Sequence, residues 1–206
     1  RSATDLRTSI DLLAGPDTIV ARGYKLDMPE LGEGKLSDLR IGIWRSNEGF
    51  PVANEVEERV NLVASALRDA GAQLNETARP AFTADDSHKI YQHLLQATIA
   101  SRMPDESYKS LVEHVKTLDA EDDSDAARVF RGQVSSFRDW AAANEARHKL
   151  RWAWHEYFAE FDALVMPIMP TAAFAHDHRP FGERTILVDN DERPYFEQVF
   201  WAGLTG

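Results

Sequence analysis

The most constraining stretch in the chain runs Phe161-Asp162-Ala163-Leu164-Val165-Met166-Pro167-Ile168-Met169-Pro170-Thr171-Ala172-Ala173. It opens with an acid, continues as an unbroken apolar segment and stops at two prolines three residues apart. A continuous apolar run that ends at proline reads as a strand buried on both faces. Proline has no N–H to give to a central ladder, so the strand must end at or before Pro167. The residues that follow then form an extended loop at the strand's carboxyl edge. Open α/β sheets place their ligands there, and the loop is a candidate pocket wall.

The rest of the chain supplies layers for such a strand. Ser2 is placed to cap a helix whose apolar face is Leu6, Ile10 and Leu13, with Asp5 in its first turn and Gly15-Pro16 as its stop. Residues 17 to 35, with Pro29 and three glycines, read as a loop. Leu39-Arg40-Ile41-Gly42-Ile43-Trp44 alternates like a strand. A helix with Val56, Val60, Val63 and Leu67 on one face follows, then Gly71 and a short strand from Ala72 to Leu74. Residues 36 to 76 therefore read as a β-α-β unit.

Residues 83 to 118 carry a helical pattern with Ile90, Leu94, Ala97 and Met103 inward and Pro104 as punctuation. Leu111, Val115 and Leu118 make a second stripe. The acidic run 119 to 125 reads as a solvated loop leading into a helix, because an EF-hand's glycine and terminal glutamate are absent. The next helix extends from about Asp125 to Glu160, with room for a break, and is rich in aromatics near its end. Thr185-Ile186-Leu187-Val188 before Asp189-Asn190-Asp191 suggests a hairpin, and Tyr195 to Trp201 a short helix. The fold class is thus α/β and helix-rich, with residues 83–160 as mostly helical cover.

Composition excludes several functions. The net charge of -11 disfavours nucleic-acid and anionic-membrane surfaces. With no cysteine, disulfides and thiolate chemistry are ruled out, which fits a cytoplasmic protein. No apolar run reaches the roughly 20 residues of a membrane span. Paired carboxylates and the scattered histidines, His88, His93, His114, His148 and His155, assign no acid–base role by position alone. His176-Asp177-His178 is the one compact set of potential metal ligands, and reads as a polar loop. Gly32-Glu33-Gly34 has no strand before it and makes no phosphate cradle. Ser135-Ser136 falls within a predicted helix, and no Gly-x-Ser-x-Gly occurs. The residues themselves therefore give no complete catalytic apparatus and no metal or cofactor site.

Four pieces, in order, resemble the amidase signature family of serine hydrolases. They are Arg1-Ser2-Ala3-Thr4-Asp5-Leu6 running to Leu12-Leu13-Ala14-Gly15-Pro16-Asp17; Leu36 to Trp44 with the helix ending Ala70-Gly71-Ala72; Asp162 to Pro170; and Pro194-Tyr195 with Leu204-Thr205-Gly206. Residues 83 to 150 carry no family motif. The resemblance implies a partial amidase-like domain over 1–206, cut at both ends, from a three-layer α/β/α sandwich around a mixed sheet. It implies hydrolysis of a carboxylic amide through an acyl-serine intermediate, with a lysine acting as base through a second serine and no cofactor. That lysine and the glycine- and serine-rich stretch lie upstream of the resembling segment, so no catalytic residue is expected here and the chain alone should be inactive. Expected substrate contacts are Met169, Pro170, Thr171 and Phe174, which follow the strand, and Trp201. Expected partners are a small-molecule amide, and either the remainder of the same enzyme or a second copy covering exposed apolar surface. Gly203 stands where the family commonly has Asn. The competing reading is a non-enzymatic helical protein-binding module.

Overall fold

The structure, a computed structural model, describes residues 2–28, 34–180 and 183–205. Arg1, Pro29, Gly32, Glu33 and Gly206 of the sequence reading lie outside them. The chain divides into two units, Arg1–Lys35 and Leu36–Gly206.

In the first unit, helix α1 spans Ala3–Leu13. The Asp5 N–H donates to Ser2 Oγ (3.2 Å), and the Ser2 N–H donates to Asp5 Oδ2 (2.9 Å). These reciprocal bonds satisfy two of the donors that a helix start leaves open. Leu6, Ile10 and Leu13 form the expected stripe, and all three are exposed within the described residues. A single 3-10 turn follows at Val20–Arg22.

The second unit is built on three parallel strands in the order β2-β1-β3: β1 is Arg40–Ile43, β2 is Gln73–Asn75 and β3 is Ala163–Val165. Helix α2, Asn54–Asp69, connects β1 to β2 and completes the expected β-α-β unit. Gly71, at φ +90°, makes the turn out of α2 that a side chain would strain.

The central strand is β1, and this corrects the reading of 161–166. β3 is half-buried and pairs, among the described residues, only with β1. The reason is visible in β1: Ile41, Gly42 and Ile43 are all buried, and the glycine admits a close neighbour. A carboxylate clamp holds β3 in register. Asp162 Oδ2 accepts from the Arg40 N–H (2.7 Å), Asp162 Oδ1 pairs with the guanidinium (3.1 Å), and the Asp162 N–H returns to Arg40 O (2.8 Å). The guanidinium and the Arg40 N–H together hold the Asp162 carboxyl below its ordinary range.

Both faces of the sheet are covered, giving three layers. Ile41 and Ile43 pack with Val60 and Ala64 of α2. On the other face Gly42 meets Tyr157 of α6, Phe137–Glu160. Trp44, at the end of β1, packs with Phe200, Trp201 and Leu204. Phe200 and Trp201 belong to α7, Phe200–Gly203, which follows a 3-10 turn at Tyr195–Val199. Phe50 stacks on Phe200 at 3.7 Å and 9°, and Trp201 meets Trp44 edge-on at 5.9 Å.

The helical cover differs from expectation in two places. Residues 83–118 form α3, Ala84–Ala100, and α4, Asp105–Val115. In α3 the fully buried positions include Ser87, His88 and Gln96, whereas Ile90, Leu94 and Ala97 are half-buried. The long helix from about Asp125 to Glu160 has the break that the sequence leaves room for, and is α5 at Asp125–Gln133 followed by α6. Ser136 makes the break by capping α6 through the Asp139 N–H (3.2 Å), so it is not the helix-surface residue that the sequence suggested.

A separate antiparallel ribbon, β4 (Thr185–Val188) and β5 (Asp191–Pro194), turns at Asp189-Asn190. Asp189 sits at φ +54°, and its carboxylate accepts from the Asn54 N–H (3.0 Å) and the Asn54 side-chain amide (2.9 Å). Residue 53 at the start of α2 is alanine and has no capping side chain, so the ribbon supplies the cap. Asp189→Ala should cost about 1–2 kcal/mol, from the lost cap and the left-handed turn position. Asp189→Asn, which tolerates that conformation and keeps an acceptor, should cost less. Urea unfolding of the two variants checks this order.

Candidate functional site

All three strands run the same way, so their carboxyl ends share one edge of the sheet. The loop after β1, the loop after β2 and the loop 166–175 after β3 gather there. The last of these is tied down where it passes α2: the Ala53 N–H donates to Pro170 O at 2.7 Å. Pro167 and Pro170 are buried, Met169 and Thr171 are half-buried, and Phe174 is 40% exposed. Phe174 packs edge-on against Tyr195 at 6.1 Å and lines a cleft of about 430 Å³ beside the β4–β5 ribbon. Trp201, at 0% exposure, lies in the core behind this edge, and its Nε1 has no partner among the described residues. Of the five expected contact residues, four therefore lie on one loop at the sheet edge and the fifth in the core beneath.

Arg79 escaped the sequence reading. It follows β2, and its guanidinium lies 4.7 Å over the Trp44 ring while donating to Ile43 O (3.2 Å) and Ala78 O (2.7 Å). No carboxylate pairs with it among the described residues, and burial lowers its pKa. An arginine before a proline gives no local sign of this placement.

His176-Asp177-His178 is not arranged around a point. Asp177 is taken by Arg179, with Nη2–Oδ2 at 2.7 Å and the Arg179 N–H on Oδ1 at 2.9 Å. The guanidinium leads in lowering the Asp177 pKa to about 2. The two imidazole rings stand 6.2 Å apart, and no group of three metal-ligating side chains is found among the described residues.

One serine has a base within reach. His93 Nε2 lies 2.9 Å from Ser135 Oγ, in the break between α5 and α6. The Ser135 N–H is spent on Gly132 O (3.2 Å) and its hydroxyl also reaches Ser136 O (3.2 Å). No acid orients His93 among the described residues, so the pair lacks the third group of a catalytic triad, and the N–H of Ser135 is already engaged.

Along α3 the residues His88, Gln92 and Gln96 recur every fourth position on one face. His88 packs against Phe50 (4.8 Å) and Phe200 (5.2 Å). Burial lowers its pKa below the ordinary 6.5; Asp125 and Asp85 oppose this, and Arg128 adds to it. The sign for stability follows. As pH falls through 6.5 the unfolded chain takes up a proton that the folded chain resists, so the unfolded state holds more protons and stability drops. Thermal midpoints between pH 7.5 and 5 should fall, and His88→Phe should flatten that dependence.

Comparison with known proteins now bears on this geometry. The family profile described as Amidase matches residues 1–192, and the chain belongs to the amidase signature family. Among solved structures, a bacterial aryl acylamidase of the amidase signature enzymes is similar at 17% identity and a TM-score of 0.50. The match covers 81% of this chain and 35% of that one, so the chain spans about a third of the length of that relative. This likeness confirms the α/β fold. Comparison with curated protein sequences gives no match. No helix among the described residues is long and apolar enough to cross a membrane.

Proposed function

We propose that these residues form part of a hydrolase that cleaves a carboxylic amide through an acyl-serine intermediate. The observation that carries this reading is membership of the amidase signature family over residues 1–192. In this reading the chain supplies sheet, helical cover and pocket wall. Met169, Pro170, Thr171 and Phe174 border the substrate, and Trp201 backs them from the core. The position of the 166–175 loop at the carboxyl edge supports that assignment, because convergent loop groups at such an edge are where α/β sheets hold small molecules.

The nucleophilic serine, the bridging serine and the lysine belong to sequence outside these 206 residues. Support comes from the chain itself: it has no Gly-x-Ser-x-Gly, and Ser135, which has His93 in reach, has no acid orienting that histidine among the described residues. The remainder of the same polypeptide is the partner this reading requires. The test is ammonia release from simple carboxamides. The 206-residue chain alone should give the blank rate, and the complete polypeptide should give turnover. Turnover by the 206-residue chain that one substitution within it abolishes overturns the assignment.

A further inference from the structure

Between α3 and α6, beside Gly203 of α7, lies a cleft of about 210 Å³ that no residue of the sheet-edge loop lines. Ile90, Leu94, Leu95 and Leu150 give it apolar walls. Its polar residues are Ser87, Tyr91, Thr98 and Arg147. No Asp or Glu is among the described residues that line it, in a chain whose net charge is -11. Gly203 gives the Tyr91 ring its place at the side of the cleft, because a Cβ there would stand 2.7 Å from Tyr91 Cδ1.

Arg147 is half-buried and makes no ion pair with any described residue. Its guanidinium is held from its own helix: Nη2 donates to Asn144 Oδ1, three residues earlier, at 2.9 Å. That bond orients the group and leaves its charge uncompensated. Nε is sealed from solvent with no acceptor among the described residues, so it serves no ligand. The donors that remain are both N–H groups of Nη1 and the second one of Nη2. Parallel N–H bonds from the two Nη atoms match the two oxygens of a carboxylate. Ser87 and Tyr91 line the same cleft, and their hydroxyls have no partner among the described residues. A partly buried cation with open donors and no counter-charge is costly unless an anion meets it.

The size and walls narrow the anion. The cleft is smaller than the roughly 300–1,000 Å³ of sites for drug-sized ligands, so its occupant is small. One guanidinium suits a single negative charge, and the leucine and isoleucine side chains suit a short hydrocarbon body.

We infer that the α3–α6 cleft is a binding site for a small monocarboxylate with a short apolar body, anchored by Arg147. The site goes beyond the hydrolytic reading, because it needs no nucleophile and holds its ligand whether or not the polypeptide cleaves amides.

Ligand-observed NMR titration of the complete polypeptide at pH 7.5 with isovalerate, 4-methyl-2-pentanone and inorganic phosphate tests the site. The first two share a branched body and differ in charge; phosphate has charge and no body. Isovalerate should bind, and each of the others at least roughly tenfold more weakly, the worth of a charge-assisted hydrogen bond. Arg147→Met, which keeps an apolar stem, should weaken isovalerate roughly tenfold and abolish its preference over the ketone. Arg147→Lys, which keeps the charge without the fork, should fall between. Thr98 is an exposed wall residue, so Thr98→Trp fills the cleft without disturbing the core and should abolish binding. It decides the matter alone if Arg147→Met does not fold. No isovalerate binding by the parent polypeptide, ketone or phosphate binding as tightly, or isovalerate binding unchanged by Thr98→Trp or by a folded Arg147→Met variant overturns the inference.

Discussion

Gly42→Ala should destabilise the protein by about 3 kcal/mol or more, and Tyr157→Phe should restore most of the loss. A methyl group on Gly42 would stand 1.8 Å from the Tyr157 hydroxyl oxygen. Such an overlap forces α6 or the tyrosine away from the sheet, at or above the upper end of typical overpacking costs. The hydroxyl is also buried without a partner among the described residues, and burial raises its pKa. Removing it alone should therefore change stability by no more than about 1 kcal/mol in either direction. In the double variant the nearest atoms become Tyr157 Cζ at 3.1 Å and Leu164 Cδ1 at 3.3 Å, contacts that small shifts relieve. Denaturant unfolding of the four proteins gives the coupling, which should exceed about 1 kcal/mol. Additive effects would mean that Tyr157 does not sit over β1, and the layer on that face would have to be redrawn.

Trp201→Ala should cost about 3–5 kcal/mol, the range for truncating a fully buried aromatic residue. Trp201 has 0% exposure and meets both Trp44 (5.9 Å) and Phe200 (5.3 Å) edge-on. Trp201→Phe should cost much less, since it keeps a ring in place and removes an Nε1 that has no partner among the described residues. The pair of variants separates two roles. A core residue lowers the midpoint of unfolding and leaves KM of the complete enzyme unchanged in the Phe variant. A residue that touches substrate moves KM in that variant with little change in stability.

The same fold region explains the departure at position 203. The Tyr91 ring fills the space a side chain there would need, with Cδ1 2.7 Å from where a Cβ would stand. Gly203 is thus matched to Tyr91, and the hydrogen bond of an asparagine at this position has no room.

Local pattern carried much of this architecture. Ser2 and Asp5 announced α1, Gly71 the end of α2, and Asp189-Asn190 the hairpin, because caps and tight turns are decided by neighbours in sequence. The order of the strands was less legible. From its apolarity the run Leu164–Met166 reads as a strand buried on both faces, whereas β3 is half-buried; the telling residue is Gly42, whose missing side chain lets Tyr157 close on β1. Apolarity reports packing, and Leu164 and Met166 find it against the Phe200 and Trp201 cluster, with no second flanking strand among the described residues.

The loop 166–175 lies at the sheet edge, as its two prolines dictate, since they fix where a ladder must stop. The Asp189 cap on α2 joins residues 135 positions apart and left no local trace. Nor did the polar row on α3. Periodicity assigns the apolar face inward, and Ile90, Leu94 and Ala97 obeyed it only in part, while His88 and Gln96 went deeper. Only the i, i+4, i+8 spacing of His88, Gln92 and Gln96 was there to be read.

The most direct test of the account is labelling of the complete polypeptide with a serine-directed fluorophosphonate, followed by peptide mass mapping. An adduct on a serine outside these 206 residues, with Ser135 unmodified despite its 2.9 Å contact to His93, is the predicted result. An adduct on Ser135 or any other serine within the chain, or no adduct on the polypeptide at all, contradicts it.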